Sequence, residues 1–193
     1  FLYQAVGLNI SFPRKRTVPG IEKSGLIGKK IDATMTSTGT QALFLHPVAG
    51  LHGDLGIVTK DDVLLAISNS GETEEVNRLI SSVQKIGTPL ISFTGNPSST
   101  MARASDAVID VGVEREACPF GLAPTSSSTA TLAMGDALAV ALIDKHKFSE
   151  KDFYKFHPGG SLGQRLRRKS PGMSSLVVSI CSDCAGTSGT HCR

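Results

Sequence analysis

Short, almost wholly apolar runs alternate with helix-periodic segments from about residue 24 to residue 145, and this alternation constrains the fold more than any other feature. Asp62-Val63-Leu64-Leu65-Ala66-Ile67-Ser68 is nearly continuous and apolar, as a strand covered on both faces must be, and it breaks at Asn69-Ser70-Gly71. Glu72 to Ile86 then reads as an amphipathic helix, with Val76, Leu79, Ile80, Val83 and Ile86 on one stripe. The pattern repeats: a helix over Ser24 to Ser37, a strand at Ala42–Leu45, a strand at Pro89–Thr94, a short helix over Ser99 to Ala104 and a strand at Ala107–Val111. Thr125 to Lys145 is alanine-rich and apolar on most sides, which predicts a buried helix, and Ser149-Glu150-Lys151-Asp152 opens another with a capping-box pattern.

Strands and helices alternating across short loops imply parallel βαβ units. The expectation is an α/β fold, a three-layer α/β/α sandwich on a mainly parallel five-stranded sheet. In such sheets ligands bind beyond the carboxyl ends of the strands, which selects the loops after residues 18, 45, 67, 94 and 111. The ends are poorer in signal. Arg14-Lys15-Arg16-Thr17-Val18 reads as the first strand but is bracketed by Pro13 and Pro19. From about Lys169 periodicity is lost and Ser, Gly, Thr and Cys dominate, so residues 1–168 read as one domain and 169–193 as a disordered tail.

Composition narrows the class. Hydrophobic residues make up 40% and charged residues 19% of 193, which suits a water-exposed globular domain; no apolar run reaches the roughly 18–20 residues a membrane span needs. Phe1-Leu2-Tyr3-Gln4 has no basic region leading into an apolar stretch, so no signal peptide is read and a cytoplasmic location is expected. The net charge of +3 resides in the last stretch, where Arg167, Arg168, Lys169 and Arg193 face only Asp183. The body is neutral and offers no basic face to nucleic acid. Cys118 is alone in the body, which fits a reducing compartment; Cys181, Cys184, His191 and Cys192 lie in the tail, with no folded surroundings to make them a zinc site.

The loop Ser68-Asn69-Ser70-Gly71-Glu72-Thr73 joins the buried strand to a helix N-terminus, where free N–H groups and the helix dipole favour an anion. One hydroxyl would satisfy an ordinary capped turn; three around a glycine exceed what a cap needs and point to phosphate. Gly20-Ile21-Glu22-Lys23-Ser24-Gly25 is a second glycine-framed strand-to-helix junction, without the spacing of a Walker loop. His46 and His52-Gly53-Asp54 lie on the loop after the second strand, where they suit metal binding, proton transfer or plain loop hydrogen bonding. Glu114-Arg115-Glu116 follows the last strand. His157-Pro158-Gly159-Gly160 fixes one imidazole on a tight loop.

Together these segments resemble the sugar isomerase (SIS) domain, flavodoxin-like in fold, and within it the D-arabinose 5-phosphate isomerase family. The resemblance runs over about residues 16–168. It is carried by Lys23-Ser24-Gly25, Ser37-Thr38-Gly39-Thr40, His52-Gly53-Asp54, Ser68 to Glu72, Thr94-Gly95-Asn96-Pro97, Glu116-Ala117-Cys118-Pro119, Gly121 to Ser127 and His157-Pro158-Gly159-Gly160. The resemblance implies interconversion of D-ribulose 5-phosphate and D-arabinose 5-phosphate, the entry to Kdo and lipopolysaccharide synthesis. It assigns catalytic relevance to Lys23, Glu75, Glu116 and His157, and substrate contacts to Gly39, Thr40, His52, Ser68, Asn69, Ser70, Gly71 and Thr73. It makes His46 a contact for inhibitory zinc, with no cofactor required, and implies a homotetramer whose sites are completed by a neighbouring subunit.

The residue types suit the implied reaction. Isomerisation through an enediol needs an acid and a base and stabilisation of a developing enediolate. Glu116 and His157 are the leading acid/base residues, and Lys23 can neutralise charge. The family pattern Gly-x-Gly-Lys-Ser-Gly departs here at Glu22, which adds bulk and negative charge beside the phosphate; the paired CBS domains that often follow are not in this chain. Those departures leave a second expectation, a sugar-phosphate sensor that binds without turnover.

Overall fold

The structure is a computed structural model and describes residues 2–11 and 14–159; the stretch expected to be a disordered tail lies outside them. The chain divides into two compact units, residues 1–148 and residues from Ser149 onward. The first holds α1 (Leu2–Ser11), β1 (Arg16–Pro19), α2 (Glu22–Ser37), β2 (Ala42–Leu45), α3 (Pro47–Leu51), a 3-10 turn (Asp54–Ile57), β3 (Val63–Ile67), α4 (Glu74–Ile86), β4 (Leu90–Thr94), α5 (Thr100–Arg103), β5 (Ala107–Asp110) and α6 (Ser126–His146). The second is described through α7 (Glu150–Phe156).

The five strands form one sheet in the order β2-β1-β3-β4-β5, every pairing parallel. β1, β3 and β4 are buried at every residue, so their side chains alternate between two apolar layers rather than between core and water. Val63, Leu65, Ile67, Ile91 and Phe93 face Ile31 and Met35 of α2 and Leu138 and Leu142 of α6. Leu64, Ala66 and Leu90 face Val76, Leu79, Ile80 and Val83 of α4 and Met101 of α5. This is the expected three-layer α/β/α sandwich.

Three elements differ from the sequence expectation. α1 carries no acidic residue in its first turn and no basic one in its last; its burial of Ala5 and Val6 in the α2/α6 layer makes it a helix. α3 and the 3-10 turn occupy what reads as a loop, started by Pro47 in the first helical turn. α6 is less buried than expected, with Val140 62% exposed. Among the described residues it is also the one helix long and apolar enough to cross a membrane by length and composition, contrary to the expectation that none is; here it packs on α1, α2 and the core.

At the opposite edge from the strand carboxyl ends, Arg16 is fully buried and its charge is disfavoured by desolvation, with Asp62 opposing that effect. Asp62 Oδ2 accepts hydrogen bonds from Lys15 Nζ (2.7 Å), Thr59 N (2.7 Å) and Thr59 Oγ1 (3.0 Å).

Candidate active site

The strand order sets the location. From β1 the chain steps outward to β2, whereas β3, β4 and β5 follow on its other side. Connections therefore diverge between β1 and β3, and the crevice of such a sheet opens beyond the carboxyl ends of these two strands. β1 ends at Pro19 and α2 begins at Glu22. Gly20 permits so short a junction: a Cβ there would lie 2.8 Å from the Ser24 carbonyl oxygen. β3 ends at Ile67 and leads into Ser68–Thr73 and α4.

The Ser68 loop is fastened from two sides. The Asn69 carbonyl accepts from Gly95 N (2.9 Å) and Thr94 Oγ1 (3.2 Å), which ties the loop to the end of β4. The Gly71 carbonyl accepts from Met101 N (3.1 Å) and Asn77 Nδ2 (3.3 Å), tying it to α5 and α4. Gly71 sits at φ +67°, conformational space that favours glycine. The hydroxyls shape the loop: Ser68 Oγ accepts from Gly71 N (3.1 Å) and shares a hydrogen bond with Thr73 Oγ1 (2.8 Å), and Ser70 Oγ accepts from Glu72 N (3.2 Å). Thr73 occupies the N-cap position of α4 without a side-chain cap bond. No side-chain cap bond engages the first turn of this 13-residue helix, and Asn69 and Ser70 are exposed in the loop that leads into it. The free N–H groups and the dipole at such a helix end favour an anion.

Glu72 would oppose an anion, but its carboxylate is turned to α5, where Oε1 accepts from Thr100 N (2.8 Å). Hydrogen bonding from Thr100, with Arg103 nearby, holds it below the usual carboxylate range.

Lys23 lies in the first turn of α2 at this edge, exposed, its ammonium 4.0 Å from the Glu22 carboxylate. Glu22 itself adopts φ +50°, in the left-handed region where the family pattern has glycine. Glu75 is exposed in the first turn of α4. His46 and His52, both exposed, flank α3 after β2 on the same edge. Among the described residues no group of three or more His, Cys, Asp or Glu is placed to hold a metal ion.

Gly39 and Thr40 are not brought to this edge. α2 has 16 residues and carries the chain about 24 Å back along the sheet, so Gly39 and Thr40 precede β2 at the amino edge. Thr40 is buried there, its hydroxyl without a hydrogen-bond partner.

Glu116, expected as an acid or base, is held as a helix anchor. Its Oε2 accepts from Thr125 N (2.8 Å), Thr125 Oγ1 (3.0 Å) and Ser127 N (3.2 Å), and its Oε1 from Ser127 Oγ. The Ser127 hydroxyl and the Thr125 amide pull its pKa down to about 2, which favours the ionised carboxylate at neutral pH.

In the second unit, His157 follows α7 with Nδ1 2.8 Å from the Phe153 carbonyl and its ring stacked on Phe153 at 3.8 Å between centroids. A carbonyl only accepts, so Nδ1 carries the hydrogen, and in the neutral ring that tautomer leaves the lone pair on Nε2.

Ser99, Thr125 and Ser127 escape sequence reasoning as site residues. Their partners Gly71 and Glu116 are 9 to 28 residues away, and no local pattern marks a contact of that range.

A doubly wound α/β sandwich with an uncapped helix N-terminus at its switch point has the architecture of domains that bind ligands beyond the carboxyl ends of their strands. The SIS domain model matches residues 10–141, and the chain belongs to the SIS-domain family. It is 56% identical over 152 residues to arabinose 5-phosphate isomerase KdsD of Escherichia coli K12, covering 79% of this chain and 46% of that protein. It is 53% identical over 152 residues to KdsD of Pseudomonas aeruginosa, covering 79% and 47%. The chain thus spans about half the length of these curated relatives. A solved structure of an E. coli CFT073 protein in complex with A5P superposes with a TM-score of 0.79 at 44% identity, covering 81% of this chain and 83% of that one.

Proposed function

We propose that this chain is the SIS domain of an arabinose 5-phosphate isomerase, interconverting D-ribulose 5-phosphate and D-arabinose 5-phosphate through an enediol. The observation that carries the reading is the Ser68–Thr73 loop on the uncapped N-terminus of α4, at the switch point, in a chain 53–56% identical to arabinose 5-phosphate isomerases. The phosphate docks on the first-turn N–H groups of α4 with Asn69 and Ser70. The sugar extends toward β1, where Lys23 neutralises charge developing on the enediolate oxygen. Glu75 in the first turn of α4 is proposed to move the proton between C1 and C2, and His157, in the second unit, is proposed separately as an acid/base group.

The amino-edge position of Gly39 and Thr40 favours a homo-oligomer, taken to be a tetramer, in which another copy supplies them to the substrate. His46 is proposed as the contact for inhibitory zinc, with no metal required for turnover. The proposed setting is the cytoplasmic supply of Kdo for lipopolysaccharide.

Conversion of ribulose 5-phosphate is measured for the chain and for Lys23→Ala, Glu75→Gln and His157→Ala. The reading expects turnover that falls by about 10²–10⁴ in the variants. Unchanged rates in all three would overturn the assignment. Glu22 supports a second reading, a sensor that binds without turnover, because its carboxylate stands next to Lys23. Phosphosugar binding with no product would select it.

A further inference from the structure

We propose that Glu116 is a positioning residue: its carboxylate is the clasp that closes the loop 117–124 onto the first turn of α6 at the ligand edge, acting on substrate only through that loop. Four donors converge on the two oxygens, from the amides and hydroxyls of Thr125 and Ser127. The Thr125 hydroxyl also accepts from Ala117 N at 2.9 Å, so the two ends of the loop are laced together through one side chain. Thr125 is the N-cap of α6 yet makes no side-chain cap bond of its own; Glu116, nine residues earlier, performs the capping. A carboxylate at the start of a 21-residue helix also meets the positive end of its dipole.

Among the described residues, the loop's other hydrogen bonds stay within it, with the backbone N–H groups of Ala123, Phe120 and Leu122 directed at the Cys118 thiol. The loop's two large apolar residues, Phe120 and Leu122, are 83% and 84% exposed, so burial contributes little. Within it Gly121 N donates to the Cys118 carbonyl at 2.9 Å, a local turn that does not fix the loop to the body. Three of the four donors crowd Oε2 and the Ser127 hydroxyl holds Oε1, so a proton transfer to the carboxylate would weaken α6's cap.

The kinetic half of the test rests on the isomerase reading; the exchange half does not. Glu116→Ala, Glu116→Gln and the double variant Thr125→Val/Ser127→Ala are compared by pH-dependent kcat/KM and by amide hydrogen exchange across 117–127. The double variant leaves the carboxylate in place and able to titrate, but removes both hydroxyl donors. The expected result is that it matches Glu116→Ala, each losing about 10–10² in kcat/KM through misplacement of the loop. Exchange across the loop rises by about tenfold or more in both, and Glu116→Gln keeps both limbs of the pH profile. A pH limb lost in Glu116→Gln while the double variant keeps normal turnover would overturn the proposal. If the chain shows no isomerase turnover, exchange alone decides: unchanged exchange across 117–127 in Glu116→Ala and in the double variant overturns the clasp.

Discussion

Gly71 and Ser99 meet across a gap that admits no side chain: a Cβ on Gly71 would lie 2.0 Å from the Ser99 hydroxyl and 2.4 Å from its Cβ. Ser99 cannot withdraw, because it is buried and its Oγ accepts from Ala102 N to cap α5. Gly71→Ala is therefore expected to cost about 2–5 kcal/mol, from the left-handed backbone and the overpacking together. Thermal unfolding checks the cost. Isothermal titration with a sugar phosphate is expected to show binding lost even where the variant stays folded, since the loop that presents the α4 N–H groups is displaced.

Glu22 holds φ +50° at the start of α2. Glycine takes that conformation without the Cβ penalty of about 1–2 kcal/mol, offset in part by its greater entropy loss. Glu22→Gly is expected to gain about 0.5–1 kcal/mol by denaturant unfolding. Removing a carboxylate beside Lys23 is also expected to tighten sugar-phosphate binding by about twofold or more at low salt. A decrease in stability would contradict the strain.

Asp62 makes the fold sensitive to acid. Burial raises its pKa, but hydrogen bonds from Lys15 and Thr59 outweigh this and hold it below the ordinary 3.8. The folded state thus prefers the ionised form more strongly than the unfolded chain does. Its contribution is complete above about pH 4 and is lost as pH falls through the folded value. Glu116 acts in the same direction between 4.5 and about 2. Urea midpoints measured from pH 7 to pH 2 are expected to fall below about pH 4.5. In Asp62→Asn the fall is shallower, and stability at pH 7 is lower by about 1–3 kcal/mol through weakened charge-assisted hydrogen bonds.

Ser92 is fully buried in β4 on the α4 side of the sheet, and its hydroxyl has no hydrogen-bond partner. An unsatisfied buried hydroxyl costs roughly 1–3 kcal/mol, and alanine removes it with little change of volume. Ser92→Ala is expected to stabilise by about 1 kcal/mol, read as a higher Tm with unchanged substrate affinity.

Much of this architecture was legible along the chain. β3 reads as a strand because a parallel strand with helices on both faces is apolar throughout, and α4 reads as a helix because Val76, Leu79, Ile80 and Val83 recur at helical spacing. The Ser68–Thr73 strand-to-helix junction was legible for a related reason: it lies within six consecutive residues. α1 was not, since it lacks terminal charge signals and gains its helix from contacts with β5 and α6.

The sequence by itself determined the layer count, the parallel sheet and the Ser68–Thr73 loop, because each depends on neighbours within one element or one turn. Only the tertiary structure decided that Glu116 is committed to the N-terminus of α6, that Glu72 is turned to α5 by Thr100, and that Gly39 and Thr40 stand at the far edge of the sheet. Those outcomes turn on contacts between residues distant in the chain, or on the length of a helix that carries two of them away. Residue type names what a carboxylate is able to do; the donors that the fold brings within hydrogen-bond reach select what it does.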